Sequence, residues 1–250
     1  MLAEALQAER VVNLATPGAR LGCVRARQLS AALSHHPDLA VVLAGINDTL
    51  RGEFVAARLV EHLDVIVGEL VRAGAQVILA RLHDHTRLLR LPPVWRRALQ
   101  DRLAGVNAAV DVVAARHGAL CLDLDALPGV YTREAWSIDR LHPSELGHRL
   151  LAAGFATAAE HAGWKTACPV SLACGGGRPV TRVDHARWLI GAGVPWLGRR
   201  TWDLLPHATS LLVRSDGAPP AYRAIGTSSH GLADGRSGRG CRGAQRRVPR

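Results

Sequence analysis

Four short runs of nearly unbroken apolar residues limit what this chain can fold into more than any other feature: "VVNLAT" (11–16), "LAVVLAG" (39–45), "AQVILARL" (75–82) and "GALCLDL" (118–124). A strand with one wet face alternates apolar and polar residues, whereas a run apolar at almost every position reads as a strand covered on both faces of a parallel sheet. Between the runs the period changes. Val55, Leu59, Leu63, Ile66 and Leu70 recur at helical steps, as do Leu99, Leu103, Val106, Val110 and Val113. Pro93 suits a helix start, and Gly74 and Gly118 suit the stops. A third helix is expected from Pro143 to His161, on Leu146, Leu150 and Leu151. Strands alternating with helices predict an α/β fold with an open parallel sheet and right-handed crossovers.

With 250 residues, 48 % of them hydrophobic, the chain can bury one sizeable core plus an appendage. Its formal net charge of +10 is unevenly spread: residues 1–165 carry 18 Lys and Arg against 17 Asp and Glu, leaving 13 against 4 for the rest. Residues 1–165 therefore read as an ordinary α/β domain. Residues 166–216 read as a linker with short amphipathic helices carrying Trp188, Trp196 and Trp202, and 217–250 as a disordered basic tail. No aromatic platform or reading motif accompanies the basic residues, so no nucleic-acid partner is expected. No stretch is apolar for long enough to span a membrane, and the start, "MLAEALQAERVV", lacks the features of a secretory leader; a cytoplasmic location is expected. Cys23, Cys121, Cys168, Cys174 and Cys241 share no metal-like spacing and are odd in number, which points to reduced thiols.

In open α/β sheets the site forms beyond the carboxyl ends of the strands. After the first run, Gly18 in "NLATPGARL" leaves a backbone N–H unobstructed. After the second, "AGINDTLR" offers the Asn47 amide, with Gly45 allowing close backbone approach. Beyond the fourth comes "WSIDRLHPSELGH", in which Asp139 precedes His142 by three positions. A carboxylate-held imidazole can act as general base and then general acid. Each feature taken singly has a plain alternative as turn former, cap or helix entrance. Together they form an oxyanion hole beside an acid-base device.

That combination resembles the SGNH hydrolases, or GDSL-type esterases and lipases, over residues 1–163. "TPGARL" is similar to the family's glycine block through Gly18, "GIND" to its asparagine block through Gly45 and Asn47, and "DRLH" to its closing block through Asp139 and His142. The resemblance implies a three-layer α/β/α fold of flavodoxin-like type. It also implies an ester hydrolase that acts on a small acylated substrate without metal or organic cofactor.

The family's nucleophilic Ser belongs to a Gly-Asp-Ser block on a first strand, and no such block precedes "VVNLAT". Ser30 and Ser34 fall in the helix after the glycine block, Ser137 is two residues from Asp139, and Ser144 opens the following helix. By resemblance the missing strand is central, between "VVNLAT" and "LAVVLAG". Two explanations stay open: the natural protein begins further upstream and carries the Ser, or the chain is a decayed remnant. A non-catalytic protein that keeps the cleft as a binding site is the alternative function. Metal-dependent hydrolysis through His83, Asp84 and His85 is disfavoured, the two imidazoles being expected to diverge rather than share one ion. These three are expected to line the cleft rim.

Overall fold

A computed structural model describes residues 1–89, 91–176, 181–195, 198 and 209. The elements run α1 (Leu2–Ala5), α2 (Leu21–Cys23), a π-helical turn at Val24–Gln28, α3 (Leu29–Ser34), β1 (Leu39–Val42), α4 (Ile46–Thr49) and α5 (Ala56–Arg72). They continue with β2 (Gln76–Arg81), α6 (Pro93–His117), β3 (Leu120–Asp123), α7 (Glu145–His161) and α8 (Arg182–Trp188).

The three strands form one parallel sheet in the order β1-β2-β3, with Val41 opposite Ile78 and Leu79 opposite Cys121. Because side chains alternate across a strand, the continuous apolar run of β2 feeds two cores at once. Val77 and Leu79 pack with Leu63 and Ile66 of α5 and Val106 and Val113 of α6. Ile78 and Ala80 pack on the other face with Phe155 and Ala159 of α7, and Leu2 and Leu6 close that side. Val77, Ile78 and Leu79 are fully buried, each worth about 1.5–3 kcal/mol relative to exposure. The outcome is the expected α/β/α arrangement, with α5 and α6 on one face and α7 on the other.

Three of the four apolar runs contain the strands β1, β2 and β3. The first does not: residues 11–16 form no strand, and Val11 and Val12 are exposed. A strand needs a ladder partner, and the chain that the family resemblance puts beside this run is not among the described residues. The same deficit marks β1, which among the described residues pairs with β2 alone; Val41 and Leu43 are 39 % and 43 % exposed, whereas parallel strands are usually covered on both faces.

The helices start and stop close to the expected positions. Pro93 opens α6, and Ser144 caps α7 by accepting the Gly147 N–H at 3.2 Å. Trp188 ends α8, while Trp196, Trp202, Cys241 and the basic tail lie outside the described residues. No helix among the described residues is long and apolar enough to cross a membrane.

Candidate active site

All three strands run parallel, so the loops that follow them leave the sheet from the same edge. The glycine loop is pinned to that edge through α4. Thr16 to Ala19 form a turn closed by the Ala19 N–H on the Thr16 carbonyl at 3.1 Å, with Gly18 at φ +74°. A Cβ on Gly18 would meet nothing within 4 Å, so the turn needs glycine for its backbone angle rather than for space. The Gly18 N–H has no partner among the described residues. Gly45 stands at φ +111° before α4, and a Cβ there would sit 2.6 Å from Val106 Cγ1, so both angle and space demand glycine.

Asn47, in the single turn of α4, donates from Nδ2 to the Ala19 carbonyl at 3.0 Å. An amide nitrogen carries two hydrogens, so one N–H ties the two loops together and the second has no partner among the described residues. Asp48 reinforces the same junction by accepting the Leu21 N–H at 3.2 Å. Burial pushes the Asp48 carboxyl up, against the lowering effect of that hydrogen bond and of nearby Arg20. This aspartate was not singled out in the sequence; its place inside "GIND" was the available signal.

The second group is local. His142 Nδ1 lies 2.6 Å from Asp139 Oδ2. The other carboxylate oxygen accepts the Leu141 N–H at 2.9 Å, the His142 N–H at 3.0 Å and the Ser137 hydroxyl at 2.6 Å. Burial alone would raise the Asp139 pKa, but these donors outweigh it and hold the carboxyl below its ordinary value. The loop is closed by an isolated antiparallel bridge between Trp136 and Pro143 and by the Ser137 N–H on the His142 carbonyl at 2.9 Å. Arg140, at φ +55°, ties it to the loop after β2 by donating to the Leu88 carbonyl at 3.1 Å. The His142 side chain is 79 % exposed, and its Nε2 has no hydrogen-bond partner among the described residues.

Gly18, Ala19 and Asn47 thus form one bonded group and Asp139 and His142 another, with no hydrogen bond between the groups among the described residues. Ser137 engages the carboxylate rather than the imidazole, and the Ser144 hydroxyl donates to the Glu134 carbonyl.

The residues after β2 depart from expectation. His83 and His85 do not point apart, and they do not line a rim: their rings stack with centroids 3.9 Å apart, and they are 3 % and 4 % exposed. The reason is local. Side chains two residues apart on an extended chain share a face, and Asp84 is extended at φ −74° and ψ 91°, so both imidazoles come to the same side before the tight turn at His85–Arg87, which the Asp84 carboxylate starts by accepting the Thr86 N–H at 2.9 Å. Trp136 lies against His83 at 4.6 Å between centroids, so the stack sits beneath the loop that carries Asp139 and His142. Burial pushes the pKa of His83 down to about 3 and that of His85 to about 4, which keeps both rings neutral. Among the described residues no group of three or more His, Cys, Asp or Glu side chains is arranged to hold a metal ion.

The sequence model of the GDSL-like lipase/acylhydrolase family matches residues 1–150. Similar solved structures include the acetylxylan esterase Axe2 from Geobacillus stearothermophilus, at 24 % identity over 63 % of this chain and 76 % of that one, with a TM-score of 0.50. A protein from Desulfitobacterium hafniense, described as lipolytic and of the G-D-S-L family, is 18 % identical over 63 % and 85 %, with a TM-score of 0.53. An α/β hydrolase from the metagenome of Lake Arreo, Spain, is 23 % identical over 60 % and 72 %, with a TM-score of 0.51. Likenesses at these identities establish the fold. No curated protein matches the chain.

Proposed function

Since the chain belongs to the GDSL-like lipase/acylhydrolase family, we propose that it is an ester hydrolase working through a Ser-His-Asp mechanism, with Gly18 and Asn47 as oxyanion donors. The observation that carries this reading is the Asp139–His142 pair. A carboxylate already saturated by three other donors fixes the proton on Nδ1 and leaves Nε2 with its lone pair outward.

In this mechanism Nε2 of His142 takes the proton of a serine hydroxyl as its oxygen attacks the acyl carbonyl. The Gly18 N–H and the second N–H of Asn47 receive the developing oxyanion. His142 then gives its proton to the departing alcohol, and a water molecule releases the acyl group by the same route. Asp139 stabilises the imidazolium at both stages. No step calls on a metal or an organic cofactor.

The serine is assigned to a strand outside these 250 residues that pairs with the open edge of β1. Two features support that assignment: the exposed Val41 and Leu43 beside the buried strand β2, and an imidazole whose Nε2 is turned to solvent. The substrate is a small acylated molecule, with acetyl and other short-chain esters first to be tried. The test is a fluorophosphonate probe applied to an N-terminally extended form of the chain. A single labelled serine, lost on His142→Ala, supports the mechanism. An extended, folded chain that stays unlabelled favours a non-catalytic protein that keeps the cleft for binding.

A further inference from the structure

Between α2 with its π-helical turn and the start of α5 lies a cavity of about 300 Å³ whose lining includes none of Gly18, Gly45, Asn47, Asp139 or His142. Its chemistry is cationic. Arg20 and Arg27 contribute to one wall, and Arg51 and Arg58 to the other. None of these four guanidinium groups donates a hydrogen bond or forms an ion pair among the described residues. The arrangement follows from helix periodicity: on α5, Arg58 and His62 share a face with Leu59, at spacings that bring them to the same groove.

Two carboxylates, Asp48 and Glu53, share the lining, and against four guanidinium groups they leave a surplus of two positive charges. Asp48 accepts the Leu21 N–H and also feels the charge of Arg20. Nδ1 of His62 is buried without a hydrogen-bond partner among the described residues. Arg27 sits in the π-helical turn at Val24–Gln28, a rare irregularity that is frequently found at functional sites.

We propose that this cavity binds the phosphate group of a small organic phosphate. Guanidinium forks match phosphate oxygens in bidentate pairs, and a dianion answers a surplus of arginines better than a single carboxylate does. The volume lies at the lower end of the roughly 300–1,000 Å³ typical of small-molecule sites, which suits one compact molecule rather than a polymer. Phe54 and Leu59 supply apolar surface for the group that bears the phosphate. The inference is independent of the proposed ester chemistry, since it uses neither His142 nor Asn47.

Calorimetric titration of the full chain with inorganic phosphate and with glycerol 3-phosphate, at fixed ionic strength, tests it. One saturable site is expected, weakened at least tenfold in the Arg27→Gln/Arg58→Gln double variant; both side chains are exposed, so folding is retained. An Arg246→Gln/Arg247→Gln variant controls for attraction to the basic tail and is expected to bind within twofold of the parent. Tighter binding of glycerol 3-phosphate assigns the site to an organic phosphate. Equal or tighter binding of inorganic phosphate overturns the organic ligand and leaves a site for the free anion. No saturable binding, equal binding by the Arg27/Arg58 variant, or loss in the tail variant overturns the site itself.

Discussion

His142 holds its Nδ1 2.6 Å from Oδ2 of Asp139, while Oδ1 of the same carboxylate is occupied by two backbone N–H groups and a hydroxyl. Neither oxygen can turn away without losing several bonds, so the imidazole's tautomer is set by the loop rather than by solvent.

Asp139→Asn keeps the shape and reverses the polarity: an amide facing Nδ1 donates to it and drives the proton to Nε2. Nitrogen NMR of the His142 ring in its neutral form is expected to show the proton on Nδ1 in the parent and on Nε2 in the variant. In the serine-bearing enzyme, kcat falls on the order of 10³-fold to 10⁴-fold, because the base then points a hydrogen at the nucleophile.

Asn47→Ala separates two roles of one amide. Losing the bond to Ala19 lowers stability by about 1 kcal/mol. On the proposed oxyanion role, kcat of the serine-bearing enzyme is expected to fall on the order of 100-fold to 1000-fold while KM moves little. A KM change without a kcat change would place Asn47 in binding alone.

Gly45→Ala and Gly18→Ala differ in a way that urea denaturation can read. Gly18→Ala meets only the backbone penalty, about 1 kcal/mol. Gly45→Ala adds the clash with Val106 Cγ1 and is expected to cost about 2–4 kcal/mol in all. Combining it with Val106→Ala costs less than the sum of the two single changes.

The stacked histidines make folding sensitive to acid. Their folded pKa values, about 3 for His83 and about 4 for His85, lie below the ordinary 6.5 because burial excludes the charged ring. Above pH 6.5 both folded and unfolded chains hold neutral rings and the contribution is complete. As pH falls below 6.5 the unfolded chain takes up protons the folded one refuses, and stability is lost by up to about 1.4 kcal/mol per pH unit for each histidine until the folded values are reached. Urea midpoints between pH 7 and 4.5 are expected to fall more steeply for the parent than for His83→Phe/His85→Phe, which keeps the stacked rings and removes the titration.

What could be read in advance follows how local each feature is. The β2 run announced its strand because Val77 to Ala80 are buried whichever face they point to. Asp139 and His142 were legible because three residues and one turn contain the whole interaction. Val11 and Val12 misled, since an apolar run becomes a strand only when another strand pairs with it. His83 and His85 misled for a different reason: they flank the extended Asp84, and side chains two residues apart on an extended chain lie on one face, so the imidazoles converge rather than diverge. The arginine cavity had no signature, because Arg20 and Arg27 meet Arg51 and Arg58 only after α5 has packed. Asn47 was legible as a donor, but its bond to Ala19 depends on how two loops meet at the sheet edge.

The most direct measurement is kcat/KM for p-nitrophenyl acetate, taken on the N-terminally extended chain and on its His142→Ala variant. The account predicts measurable hydrolysis that falls on the order of 10³-fold or more when the imidazole is removed. Hydrolysis at an unchanged rate in the variant would contradict it, because the proton would then be moving through some other group.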